Sequence, residues 1–421
     1  MGTYAHSDKM TVLLQPNTKR SVMKKSQLPK TERRYYIDWL RIMLILTVFI
    51  FHIGMIFNPF EWHIKNDRQF EVLSPIMSFL HLWRMPLLFL ISGVGTRFAL
   101  GKRNALQYLG ERFRRLIIPL IAGIFILVPV QVYFERIGQY DSLWAYYPHM
   151  FDGVYPEGNF SWHHLWFIAY LFLISALLTP FLKTMGKGRI RRGQFRMERT
   201  FTRPLGLNLV LFPLILSQLL LKPYFPVETH DVVNDWAFIT YNAIFFLAGF
   251  GLLTKVEVVE ALKHQRRLYL LEAIVASTLW LIAHQTNHLQ GTGGMVVSVV
   301  AGWSCGMAAM GYAARYLNRD SHVRKLANEA IYPFYLLHQP AIVAFAYYIT
   351  RWDIPVAVKI LLIAGLSMFA SVVLYWFLIR PFNPMRALFG MKKTRKHTNP
   401  HISNTPGRQV KRKMALQEGW W

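Results

Sequence analysis

Three side chains in one apolar stretch could do chemistry together. Residues Tyr35 to Phe57 read YYIDWLRIMLILTVFIFHIGMIF and carry Asp38, Arg41 and His52. An imidazole titrates near ~6.5 when unperturbed, so a neutral histidine is a suitable general base at physiological pH. A planar guanidinium holds phosphate or carboxylate through paired donors. A carboxylate beside it, as Asp38 would be beside Arg41, reduces the cost of burying it. The spacing puts all three on one helix face. At ~100° per residue the step from Arg41 to His52 is about three turns, and Asp38 lies three positions before Arg41. A rise of ~1.5 Å per residue separates Arg41 from His52 by roughly 16 Å. His52 alone would read equally well as a packing histidine. Its ionisable companions favour function, because such groups are expensive inside a membrane.

Four further sets could contribute. His81 and Arg84, three apart in SPIMSFLHLWRMPLLFLISGVG, share a helix face. Arg84 could stabilise an oxyanion or simply reach the interface, while Ser92, Gly93 and Gly95 read mainly as close-packing residues. In GERFRRLIIP, Arg112 and Arg115 point the same way if helical and could grip phosphate, whereas Arg114 points elsewhere. Of the adjacent His163 and His164 only one can face a bundle interior, and we favour His164. His338 follows Tyr335 by one turn and precedes Pro340. No H-E-x-x-H, paired Cys-x-x-Cys or phosphate-binding glycine loop is found, and the one G-x-S-x-G, Gly302-Trp303-Ser304-Cys305-Gly306, lies inside an apolar run rather than at a strand-to-helix turn, so the sequence supports no metal site and announces no nucleophile.

The elements that must position these residues are membrane helices. Of the 421 residues 53% are hydrophobic and only 17% charged. Apolar runs predict ten spans, near 36–57, 73–98, 116–134, 163–182, 205–221, 237–254, 268–286, 293–314, 328–350 and 356–379. With both termini on one side, that side carries 39 of the 48 lysines and arginines; the opposite side carries five, against eleven acidic residues. This bias predicts cytoplasmic termini and an even span count. It also accounts for the net charge of +26, which reflects topology and anionic lipid rather than nucleic acid. The expected class is an all-α polytopic membrane protein of about ten helices. A basic cytoplasmic tail spans 1–34, one membrane domain 35–385, and a basic, disordered cytoplasmic tail 386–421. The first span is too long for a signal-peptide core and reads as retained. The single cysteine, Cys305, excludes an intrachain disulfide and reads as a packing residue. No internal repeat is apparent, which weighs against inverted-repeat transporters.

The pieces together resemble the acyltransferase 3 family of integral membrane acyltransferases. The likeness lies in Tyr-Ile-Asp38-x-x-Arg41 with His52, then Arg84-Met-Pro-x-x-Phe-x-x-Ser92-Gly93, then Arg112-x-x-Arg115 with Pro119. His164-Leu-Trp-Phe and Ile331-Tyr-x-x-Tyr335-Leu-Leu-His338-x-Pro340 complete it. It runs from about 33 to 385. Trp62-His63 and His81-x-x-Arg84-Met make it most similar to the glucan-modifying branch, the osmoregulated periplasmic glucan succinyltransferases.

The resemblance implies transfer of an acyl group, acetyl or succinyl, from acyl-CoA to a hydroxyl of an extracytoplasmic carbohydrate, in the cytoplasmic membrane. Acyl-CoA is then a donor substrate, with no cofactor permanently bound. It carries the arginine–histidine role to Arg41 and His52, and the Arg-x-x-Arg role to Arg112 and Arg115. His52 would either deprotonate the acceptor or first accept the acyl group. Arg84 would serve the oxyanion, Asp38 would pair with Arg41, and His81, His164, Tyr335 and His338 would line the pathway. The aromatic segment Trp144–Trp162 would offer a sugar platform. Two other classes compete: a transporter that uses the same intramembrane histidines and arginines, and a non-catalytic assembly factor in which His52 is dispensable.

Overall fold

The computed structural model describes residues 2, 33–185, 198–286, 288 and 291–394. The chain divides into a short unit, Met1–Arg34, and a body that begins at Tyr35. Most of the expected N-terminal tail, and the C-terminal tail from 395 on, lie outside the described residues.

The body is built of helices: α1 (Tyr35–Phe57), α2 (Leu73–Leu100), α3 (Ala105–Glu135), α4 (His163–Leu182) and α5 (Gly206–Leu221). There follow α6 (Trp236–Gly251), α7 (Val256–Gln285), α8 (Thr292–Tyr316), α9 (His322–Ile349) and α10 (Val356–Ile379). A helix stands at each expected span. Seven of them (α1, α2, α3, α4, α7, α8 and α10) are long and apolar enough to cross a bilayer. Helices α5 and α6 are apolar but shorter. Helix α9 has 28 residues and is more polar. Among the described residues there is no strand, only an isolated bridge between Val154 and Phe160.

Local chemistry fixes several ends and bends. Asn104 and Gln107 form a reciprocal capping box that starts α3. The Ser321 hydroxyl accepts from the Arg324 N–H at 3.0 Å and starts α9. Within α3 the turn Phe113–Ile117 widens to π geometry just before Pro119. Proline lacks an N–H, so the carbonyl four residues back, that of Arg115, has no helical donor. The Tyr332 hydroxyl of α9 donates to it instead, at 2.9 Å. Proline chemistry thus ties α3 to α9.

Helices α2 and α6 touch backbone to backbone. A Cβ on Gly93 would lie 1.9 Å from the Phe246 carbonyl oxygen, and one on Gly249 would lie 1.9 Å from that of Leu90. Gly93 is therefore a packing residue, as read from the sequence. The packed body also runs past residue 385, where the tail was expected to begin. Arg386 is buried and reaches Glu329 at 3.3 Å. Phe389 and Met391 are buried, and Gly390, at φ 67°, passes against the Arg115 carbonyl.

Candidate active site

Helices α1 and α9 bring His52 and His338 together. His52 Nδ1 lies 2.9 Å from His338 Nε2, and the two ring planes are within 14° of parallel with centroids 5.1 Å apart. His338 Nδ1 lies 2.6 Å from the Tyr335 carbonyl oxygen, which can only accept. That contact fixes the proton of a neutral His338 on Nδ1 and leaves a lone pair on Nε2. His52 must then donate from Nδ1, so its own lone pair is on Nε2. A chain of two hydrogen bonds thereby sets which nitrogen of His52 is basic. The Trp62 ring lies 6.1 Å from that of His52, within 21° of parallel.

His164 joins the pair, as the sequence favoured over His163. Pro340 removes the N–H that would have served the Leu336 carbonyl. His164 Nε2 takes that position at 3.2 Å. The Tyr335 hydroxyl in turn donates to the His164 carbonyl, and the His164 and His338 rings meet edge-on at 5.3 Å.

Arg84 lies next to this group and is 4% exposed. Its guanidinium carbon stands 3.4 Å over the Phe51 ring, and Phe51 meets His52 at 5.5 Å. Its Nε and Nη1 are buried and have no hydrogen-bond partner among the described residues. Buried donors of a cation left unmet are costly, and they mark a place where an anionic oxygen would be stabilised.

The expected Asp38–Arg41 pair is only partly formed. Arg41 Nη1 stands 4.0 Å from Asp38 and lies 3.2 Å from Asn328 Oδ1. A close partner of Asp38 is Arg324 of α9, which is fully buried and also held by Asp320 at 2.7 Å. Arg41 shares its guanidinium between Asp38 and Asn328, while Arg324 of the facing helix contacts Asp38 more closely. Asp38 therefore acts as a cross-helix tie, and Arg41 is turned towards a cavity.

That cavity, of about 160 Å³, collects Arg41, Arg112 and Arg115 with Glu111, Tyr108 and Asn328 at its polar end. Leu88, Phe167, Leu171 and Tyr335 line its apolar part. Arg112 donates to the Tyr108 hydroxyl at 2.9 Å and to Thr96 at 2.8 Å. Arg115 pairs with Glu111 at 2.8 Å. Arg114 turns to the Gly110 carbonyl of its own helix, at 3.3 Å, and does not line the cavity. Tyr335 connects the two regions: it lines the cavity, and its ring is 5.8 Å from that of His338.

A family model described as an acyltransferase domain, of the acyltransferase 3 type, matches residues 34–378. The chain belongs to the acyltransferase 3 family. Together with its long apolar helices, this makes it a multi-pass membrane acyltransferase. It is similar to Glucans biosynthesis protein C of Escherichia coli (strain SMS-3-5 / SECEC) and of Shigella dysenteriae serotype 1 (strain Sd197). In both cases identity is 23% over 339 residues, covering 76% of this chain and 84% of the relative. The K12 strain protein of the same name gives the same identity and coverage. No solved structure matches the chain significantly.

In this acyltransferase the structure groups His52, His338, His164 and Tyr335 near Arg84, and separately groups Arg41, Arg112 and Arg115. His81 borders the first group, its ring 6.3 Å from that of Phe51, but turns away from His52. It pairs with Glu228 at 2.7 Å beside another cavity, of about 810 Å³, that also reaches Lys222 and Tyr241. Burial alone would raise the Glu228 carboxyl, but the His81 charge and hydrogen bond outweigh it and hold it down at about 2. Sequence reasoning missed Arg324, Asn328 and Glu228. Only Arg324 left a local signal, the Asp320–Arg324 spacing of four at the start of a helix.

Proposed function

We propose that this acyltransferase moves an acyl group, acetyl or succinyl, from cytoplasmic acyl-CoA to a hydroxyl of an extracytoplasmic carbohydrate. It does so as a ten-span protein of the cytoplasmic (inner) membrane with both termini inside. The CoA phosphates meet Arg112 and Arg115 at the cavity mouth, and the pantetheine arm follows the apolar lining past Arg41 towards Tyr335. His52 Nε2 takes the proton of the acceptor hydroxyl, and the oxygen attacks the thioester carbon. The resulting imidazolium shares its Nδ1–H with His338. Arg84 donates to the tetrahedral oxyanion. Collapse expels the CoA thiolate, which recovers the proton, and leaves the ester on the sugar. An acyl-imidazole route would use the same Nε2 lone pair.

The observation that carries this reading is the His52–His338–Tyr335 relay, which leaves His52 Nε2 free to accept a proton. The relatives' name, Glucans biosynthesis protein C, supports a glucan acceptor. The test uses sealed proteoliposomes with acyl-labelled CoA on one side and oligoglucan on the other. Label should appear on the glucan only when the two substrates are on opposite faces and His52 is intact. Transfer with both substrates on one face, or CoA-independent movement of glucan, would refute the reading. The second result would favour a transporter.

A further inference from the structure

A second polar cluster lies at the end of the bundle that holds His52, and the proposed reaction does not use it. His63 follows α1, Glu135 ends α3 and His163 begins α4. One ligand atom from each lies within 4.8 Å of the other two. His63 Nδ1 is 2.5 Å from Glu135 Oε2. His163 Nε2 is buried and has no hydrogen-bond partner among the described residues. The His63 and His163 rings meet edge-on at 4.4 Å.

The outer atoms of all three side chains are held. The Tyr155 hydroxyl donates to Glu135 Oε1 at 3.1 Å. Gln339 lies 3.0 Å from His63 Nε2. Ser161 Oγ accepts from the His163 N–H at 3.0 Å and lies 3.4 Å from His163 Nδ1. Metal-binding imidazoles are ordinarily oriented in this way, the second nitrogen fixed by an outer partner while the first is turned inward.

We propose that His63, Glu135 and His163 form a divalent-cation site, best suited to zinc, through His63 Nδ1, Glu135 Oε2 and His163 Nε2. Two imidazoles and one carboxylate are a common zinc set and leave a fourth, open position. Without a cation the cluster strands two buried atoms, His163 Nε2 and Gln339 Oε1. With one bound, His163 Nε2 has a partner and the single ring proton of neutral His63 is exchanged through solvent from Nδ1 to Nε2. The Gln339 amide then turns over so that its oxygen accepts from His63 Nε2–H. The site would pin together the ends of α1, α3 and α4. Through Gln339 it would brace the residue next to His338.

The experiment uses purified full-length protein without a histidine tag, stripped with chelator and titrated with zinc by calorimetry and with cobalt(II) by visible absorption. The expected result is one equivalent of metal, with a tetrahedral cobalt spectrum and a rise in Tm on zinc addition. His163→Gln and Glu135→Gln should each weaken binding at least tenfold, whereas His149→Gln, at an exposed histidine, should not. Stripped wild-type protein that takes up no stoichiometric metal would overturn the site. So would unchanged affinity in His163→Gln and Glu135→Gln. The wild-type titration decides the question even if a variant fails to fold.

Discussion

Replacing each member of the His52–His338 pair in turn separates a base from the residue that orients it. His52→Gln keeps a polar side chain of similar size but has no lone pair that can accept the proton. A general base contributes about 10²–10⁴-fold in rate, and that range should be lost. His338 contributes only the acceptor for the His52 Nδ1–H at 2.9 Å. Losing one neutral hydrogen bond removes about 0.5–1.5 kcal/mol. At ~1.36 kcal/mol per tenfold this is roughly 2- to 13-fold in kcat for His338→Leu. His338→Gln presents an amide oxygen near the position of the lost nitrogen and should recover most of that loss. The assay is initial-rate acyl transfer in proteoliposomes, with kcat and KM separated and folding checked by size exclusion. Substantial activity in His52→Gln would refute proton transfer by His52 and pass that role to His81, His164 or His338. A defect in His338→Leu as deep as that of His52→Gln would refute the positioning role and make His338 a direct participant.

Arg112→Ala and Arg115→Ala should raise the KM for acyl-CoA with little change in kcat, and Arg114→Ala should do less, because it faces away from the cavity; equal small effects would leave only a topological role. Arg84→Met should lower kcat by about 10²–10³-fold at nearly constant KM, the magnitude for one oxyanion donor; a loss of Tm without a loss of kcat would refute it. Reporter fusions at Lys187 and Arg408 should read cytoplasm and one at Asp152 the opposite face; an outside signal at Arg408 would break the ten-span arrangement. Burial pushes the Asp235 carboxyl up to about 7 from its ordinary 3.8, its hydrogen bond from Tyr170 opposing and the Glu228 charge adding. A raised carboxyl favours the folded state at low pH and loses that contribution as pH rises through the folded value. The Tm of Asp235→Asn should therefore gain on wild type between about pH 4 and pH 7, and a flat difference would refute the shift.

Hydropathy located the seven helices that are long and apolar enough to cross a bilayer, because a span must be so whatever it packs against. It also put His52 and Arg41 on one face, since that follows from helical period within a single element. What it could not show are contacts between elements. His52 and His338 are 286 positions apart, and nothing in either local sequence specifies the other. A second partner of Asp38 went unseen for the same reason. Arg41 is its neighbour in sequence, but Arg324, equally distant from it along the chain at 286 positions, is its neighbour in space. The π turn at Phe113–Ile117 was likewise invisible as such, although Pro119 was in plain view.

The prolines explain why so few of these long-range contacts need special motifs. Each proline inside a helix leaves the carbonyl four residues earlier without its donor, and a buried carbonyl must find another. Pro119 leaves the Arg115 carbonyl to the Tyr332 hydroxyl, which holds α9 against the basic turn that lines the cavity. Pro340 leaves the Leu336 carbonyl to His164, which brings α4 against the His52–His338 pair. A single kind of backbone vacancy, used twice on α9 contacts, thus aligns the basic cavity and the histidine cluster on the same helix. The distance between them is set by helical rise: Tyr332 and Leu336, the two points of attachment, are four residues or ~6 Å apart along the axis. Arg115 and the His52–His338 pair are in this way both referenced to one helix, α9, rather than to separate loops.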